Sequence, residues 1–323
     1  METKPLPCNL YNSGHLQLIF FTLLCFFAFT YNLSEVPPYH TDENFYVTST
    51  RNMIETNDYI TPMYHSKKRF AKPILFYWLV ATSYKIFGVN LFSARLVSSL
   101  FGAFCIPITY MIARRLFDQK TAIISAILLP GCYLHFQIAR WATTDMSLNF
   151  FILSTFYFFI RGFQEKSNKD TSYFLMYICM GIGFMIKGPP GIIIPTFVIA
   201  CYILALKNWE ELPQLRLAYG VAIIAVIILP WFVTMLALHG DEFKNHILGA
   251  ELRDRIVHDT PFSLYYLGVI IRYYLPWSFF FIAALAKQFE LTSSSPQPIP
   301  LKENIFLSLS KKMQVWRSNI TKK

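Results

Sequence analysis

The chain has 323 residues, 54% of them hydrophobic and 17% aromatic, with only 15% charged against about 25% in a soluble domain. That balance excludes a large water-soluble core and points to a polytopic membrane protein. The formal charge of +10 is explained by lysines and arginines gathered in cytoplasmic loops and near anionic headgroups, and no basic stripe interleaved with stacking aromatics lies outside the apolar runs, so nucleic acid is excluded as a partner.

The first apolar run, residues 15–33, follows an N-terminus (1–14) with one lysine, Lys4, and no small-residue cleavage site, which predicts a retained anchor helix. Glu35, Pro37 and Pro38 end it. A polar island follows. Thr41 reads as an N-cap with Asp42 and Glu43 in the first turn of a surface helix to about Thr56, and the basic run Lys67, Lys68, Arg69 and Lys72 leads into Pro73. Residues 74–87 are apolar and aromatic but short of a span, and predict a re-entrant or interfacial helix.

Further spans are predicted at residues 94–116, 121–138, 145–160, 173–186, 192–206, 217–238 and 265–286, about eight in all. Residues 35–93 and 239–264 become outer loops of one transmembrane domain (15–289), and residues 290–323 a basic cytoplasmic tail. Arg114, Arg115, Lys120, Arg161, Lys166, Lys169, Lys207, Arg216 and Lys287 then share one side, as the positive-inside tendency requires. The exceptions are the two outer loops, Arg140 and Lys187. Cations that break the rule are better candidates for work than cations that obey it.

Asp42 and Glu43 at a helix start are held ionised by backbone N–H groups, which suits a general base and an ordinary cap equally. Asp145, opening the span at 145–160, is open to the same two readings. Lys67, Lys68, Arg69 and Lys72 suit phosphate or headgroups. Lys72 stands apart because Pro73 fixes the backbone where the aromatic helix begins, holding an ammonium at the depth of a lipid carrier's phosphate. Lys187, in KGPPG, either snorkels or joins that phosphate. In the second outer loop Glu251, Arg253, Arg255 and His258 form either a phosphate-facing group or a solvated helix. The six cysteines read as small apolar residues, with neither disulfide nor metal-ligand spacing, and no nucleotide loop or HExxH is present. Any transferred group would have to arrive already activated on a membrane-embedded donor.

The order TDEN, a basic run ending in KPxLxYW, ARLVSSL, ARRLF, ARWATTDM and KGPPG resembles the polyprenyl-phosphate-sugar glycosyltransferases of the GT-C fold, in particular the lipid A-modifying 4-amino-4-deoxy-L-arabinose transferase branch, and more distantly the protein O-mannosyltransferases. The resemblance covers residues 15–287. It implies an all-α GT-C membrane enzyme that moves a sugar from undecaprenyl phosphate to a lipid A-type glycolipid at the periplasmic face of the inner membrane, with inversion. It implies Asp42 and Asp145 in the reacting centre and Lys72 and Arg255 at the carrier phosphate; from their own placement in the chain, Glu43 joins the first group and Lys187 and Arg69 the second. Where that branch carries a glutamate before Lys-Pro, this chain has Ala71, so no metal or cofactor is expected. Members of the branch continue through several more spans and an outer domain, which predicts that this chain is a truncated or split product. Alternatives are the same chemistry on protein hydroxyls or another glycan, an inactive remnant, and a transport or lipid-binding protein. Transport predicts an inverted repeat and charges at mid-span, neither of which the sequence displays.

Overall fold

In a computed structural model, residues 8–35, 37, 38, 41–247, 249 and 265–294 are described. They form an all-α bundle with one small hairpin. In chain order the elements are α1 (Cys8–Thr30), α2 (Thr41–Thr56), β1 (Met63–Tyr64), β2 (Lys67–Lys68), α3 (Leu75–Phe87), α4 (Leu91–Leu116), α5 (Gln119–Leu128), α6 (Tyr133–Ile138), α7 (Thr144–Gln164), α8 (Lys169–Lys187), α9 (Pro190–Leu206), the single turn α10 (Glu211–Gln214), α11 (Leu217–His246), α12 (Tyr265–Tyr273) and α13 (Ser278–Ser294). The tail beyond 294 and most of the second outer loop, including Glu251, Arg253, Arg255 and His258, lie outside the described residues.

Among the described residues, Leu91–Leu116, Thr144–Gln164 and Glu211–His246 are long and apolar enough to cross a membrane, and Gly14–Thr30, Gln119–Leu128, Pro190–Leu206 and Ser278–Lys287 are shorter apolar helices. Large apolar side chains such as Phe20, Phe197 and Val226 face outward, so lipid is the solvent of this surface. The chain is a polytopic membrane protein, as its composition implies.

Two of the predicted spans are interrupted. The run at 121–138 divides into α5 and α6 because Pro130 and Gly131 cannot continue a helix. The ten residues of α5 reach only about 15 Å. The run at 265–286 divides into α12 and α13 around Pro276 for the same reason. The run at 217–238 ends where expected: Gly240 takes φ +50° and kinks α11 before its last turns. The hairpin was not anticipated. His65 and Ser66 both adopt positive φ, the requirement of a two-residue turn whose twist matches its strands, and Met63 pairs with Lys68 and Tyr64 with Lys67.

The segment between α1 and α4 is packed onto the bundle, not suspended from it. Tyr46 and Met53 of α2, Phe70, Ile74, and Phe76, Tyr77, Val80 and Tyr84 of α3 share one buried core with Met185 of α8 and Trp231, Met235 and Phe243 of α11. Polar contacts pin its edges: Trp231 Nε1 donates to the Ile60 carbonyl (3.1 Å), Trp78 Nε1 to the Tyr59 carbonyl (2.7 Å), and Lys68 Nζ to Glu242 Oε2 (2.6 Å). Behind this layer α7 and α8 run antiparallel through a second core of Phe159, Ile160, Tyr173, Met176 and Met180. Four of the cysteines, Cys25, Cys105, Cys132 and Cys179, are buried as free thiols.

The α8–α9 corner depends on contact between two glycines. A Cβ on Gly191 would be driven into the backbone of Gly183 and Phe184, atoms that no rotamer change can move. Gly191→Val is therefore expected to destabilise the protein by about 3 kcal/mol or more, read as a lowered midpoint of thermal unfolding in detergent; an unchanged midpoint would show that the helices can part at no cost.

Candidate active site

The Asp42 end of the bundle is organised by a charge pair removed from solvent. Glu43 and Arg95, of α2 and α4, have side chains 0% and 1% exposed. Arg95 donates through Nε to Glu43 Oε1 (2.6 Å) and through a terminal nitrogen to Oε2 (2.8 Å). Its remaining donors reach the Leu33 carbonyl (2.6 Å) and the Pro37 carbonyl (3.3 Å) after α1. Glu43 Oε1 also accepts the Ala142 N–H (2.9 Å). One ion pair thus joins the end of α1, the start of α2, the start of α4 and the link into α7. Buried charges are tolerable only when paired and bonded in this way.

Serines of α4 hold the same link from the other side. Ser98 Oγ donates to the Thr143 carbonyl (3.2 Å) and Ser99 Oγ to the Ala139 carbonyl (2.9 Å). Arg140 donates to the carbonyls of Ala28, Phe29 and Tyr31, closing the last turn of α1 where its macrodipole favours a cation. Arg140 breaks the positive-inside pattern for a structural reason.

Asp42 and Asp145 occupy the first turns of α2 and α7. Asp42 is exposed while its neighbour Glu43 is buried, as adjacent helical positions on different faces must be. Tyr46, one turn after Asp42, is hydrogen-bonded to Thr144, the neighbour of Asp145. Burial above all, and then the nearby Tyr77 hydroxyl, raises the Tyr46 phenol well above its ordinary range; Asp42 raises it further and Arg69 opposes. Burial likewise pushes Tyr77 up to about 12, against the pull of Arg69. Both phenols therefore keep their protons at neutral pH. Asp145 itself is in close ion-pair contact with Lys187, the last residue of α8.

Of the residues singled out in the sequence, Asp145 and Lys187 are in direct contact, and Asp42 and Arg69 lie near enough to Tyr46 and Tyr77 for their charges to act on both phenols. Lys72 lies at the same end, half-buried between the buried Phe70 and Ile74. Arg69 stacks on the Phe45 ring at 3.7 Å. Glu43 is engaged entirely by Arg95 and Ala142, so it holds the site together and does not face it. Arg255 lies outside the described residues. Several buried polar atoms here complete no hydrogen bond within the protein: Tyr77 Oη, Arg69 Nε, Thr143 Oγ1 and Ser147 Oγ. Groups of this kind, sequestered and unsatisfied, are what a polar ligand would meet. Sequence reading missed Arg95, Tyr46 and Tyr77; the available signal was a lone arginine inside LFSARLVSSL, since a charge in an apolar run needs a partner.

Residues 71–233, half of the chain, match the dolichyl-phosphate-mannose-protein mannosyltransferase family. The chain belongs to this family. Within it, the structure is similar to crystal structures of ArnT from Cupriavidus metallidurans, in the apo state (TM-score 0.71, 26% identity, 83% of this chain and 49% of that one) and bound to undecaprenyl phosphate (TM-score 0.76, 25% identity, 88% and 52%). Among curated relatives, the undecaprenyl phosphate-alpha-4-amino-4-deoxy-L-arabinose arabinosyl transferase 2 of Pseudomonas fluorescens is 28% identical over 73% of this chain and 44% of its own length. A protein of Aquifex aeolicus known only as uncharacterised is 31% identical over 84% and 53%. The chain spans about half the length of the curated relatives it matches. The fold is that of the GT-C membrane transferases, in the arabinosyl transferase-like branch of the family.

The buried pair can be tested apart from any activity. Glu43→Ala, which strands a buried guanidinium, is expected to cost about 3–5 kcal/mol, and the double variant Glu43→Leu with Arg95→Met to recover most of that loss. Thermal unfolding of the single and double variants in detergent measures both; additive losses would mean that the two side chains do not act as a pair.

Proposed function

We propose that the chain carries the catalytic half of a lipid-carrier-dependent glycosyltransferase, moving a sugar from a polyprenyl phosphate such as undecaprenyl phosphate to an envelope acceptor, with a lipid A-type glycolipid favoured. The observation that carries this reading is the convergence of two carboxylates and several cations at one end of an otherwise apolar bundle. In the reaction an acceptor oxygen attacks the anomeric carbon, the bond from that carbon to the carrier phosphate breaks, and the phosphate leaves with the electron pair. Inversion follows from attack opposite the leaving group. The charge left on the phosphate is greatest as the bond breaks, so cations fixed beforehand lower the barrier most. Lys72 and Arg69, with Arg255 as a further candidate, take that role.

Asp42 takes the proton of a hydroxyl acceptor or orients the reacting centre, and Asp145 is the second carboxylate. Lys187 serves Asp145 in this scheme, holding its carboxylate in place, and Glu43 positions Asp42 through Arg95. The protonated phenols of Tyr46 and Tyr77 offer O–H donors to the sugar or phosphate. This end of the bundle faces the periplasm in the positive-inside assignment, with the protein in the inner membrane as a single transmembrane domain over residues 15–289. A protein hydroxyl is the second acceptor to consider, since the matching family is described by mannosyl transfer to protein.

In membranes supplied with an undecaprenyl-phosphate sugar, Asp42→Asn and Lys72→Ala are each expected to reduce transfer by at least about a hundredfold with insertion unchanged. Full transfer by both variants would remove the site. Mass spectrometry of lipid A, envelope proteins and other glycans from cells with and without the gene then identifies the acceptor by the mass that disappears.

A further inference from the structure

At the opposite end of α8 from Lys187 a second feature has no part in this chemistry. Asp170 lies 17 positions before Lys187 on the same helix, about 26 Å away at the helical rise, and therefore towards the other membrane face. Here a cavity of about 270 Å³ opens between α8 and α11, with Asp170, Tyr173, Phe174, Tyr177, Arg216 and Tyr219 in its lining.

The floor of this cavity is internally satisfied. Tyr177 Oη donates to the Leu215 carbonyl (2.9 Å), and the Tyr173 hydroxyl is in close contact with buried Glu211, which is also paired with Lys169 (2.8 Å). The charges of the lining itself are Asp170 and Arg216, 2.9 Å apart and 65% and 63% exposed. An ion pair so open to water contributes little stability. Yet the chain holds Arg216 in the left-handed region, φ +48°, a conformation that disfavours a side chain. In the lining Phe174 and Tyr219 expose ring surface at 40% and 58%.

We propose that this cavity binds the headgroup of a zwitterionic phospholipid carrying a primary amine, a phosphoethanolamine lipid, with its acyl chains leaving past Phe174 and Tyr219. The phosphate meets Arg216 and the ammonium meets Asp170, with the tyrosine faces adding cation–π attraction. A purely anionic headgroup brings its phosphate to Arg216 but leaves Asp170 facing negative charge. A choline headgroup carries no N–H to donate to the carboxylate. The volume lies just under the roughly 300–1,000 Å³ of drug-sized ligand sites, which suits a headgroup with its tails outside.

The test is native mass spectrometry of the delipidated protein in detergent, with phosphatidylethanolamine, phosphatidylglycerol and phosphatidylcholine of identical chains added at equal concentration. The wild type is expected to retain phosphatidylethanolamine about tenfold over phosphatidylglycerol, the difference one charge-assisted contact supplies. Arg216→Gly removes the guanidinium while suiting the positive φ, so the fold is kept and retention is lost; Asp170→Asn abolishes the preference over phosphatidylglycerol; Arg216→Lys keeps most of the binding. Equal retention of the three lipids by wild type and variants would overturn the proposal, as would displacement of the bound lipid by free phosphoethanolamine, which would assign the cavity to a soluble phosphorylated amine.

Discussion

Two opposite charges that have both left water, Glu43 and Arg95, set the arrangement of everything at the Asp42 end. Neither could be buried alone, and a lysine could not replace the arginine, because one planar fork must satisfy two carboxylate oxygens and two backbone carbonyls from different directions. The geometry carries a consequence for its neighbours. With Glu43 turned inward, helical periodicity turns Asp42 outward, and the Ala142 N–H on the same carboxylate fixes the backbone three residues before Asp145. Two acidic residues about a hundred positions apart in sequence are thereby referred to a single buried group.

Much of this end was legible from the sequence because charge is scarce elsewhere. The polar island, the helix at residues 41–56 and the Lys-Pro entry into an aromatic helix follow from local rules of proline geometry, charge at helix starts and apolar patterning, and the structure has them, with Thr41 as the first helical residue and not the cap. The rule that misplaced cations do the work proved too coarse. Arg140 caps α1 and Lys187 pairs with Asp145, and nothing local distinguishes such partners, since they come from elements remote in the chain. Arg95 was hidden for the opposite reason: inside an apolar run one arginine barely alters the pattern, though energetically it is the residue least able to stand alone. The divided helices at Pro130 and Pro276 were legible in principle, the breaking residues being present, but hydropathy averages over them.

The layer above the bundle explains why an aromatic-rich segment follows a charged one. Phe70, Phe76, Tyr77 and Trp231 belong to one core with Met185 and Phe243, so the loop carrying Arg69 and Lys72 is anchored on both flanks by rings. Lys72 is half-buried in a stretch whose Phe70 and Ile74 are buried.

The KGPPG segment joins this site to the bundle by backbone geometry alone. Lys187 is the last helical residue of α8; Gly188, at φ +88°, stops the helix with its N–H on the Phe184 carbonyl; and Pro190 opens α9 at the position where a missing N–H costs nothing. The corner is tight enough that Gly191 meets the backbone of Gly183. Gly188, Pro190 and Gly191 thus each have a steric duty, and their joint effect is to hold the backbone of Lys187 at a helix end, from which its ammonium meets the carboxylate of Asp145. A lysine on a mobile loop could screen that carboxylate, but only one held at a helix end can also orient it.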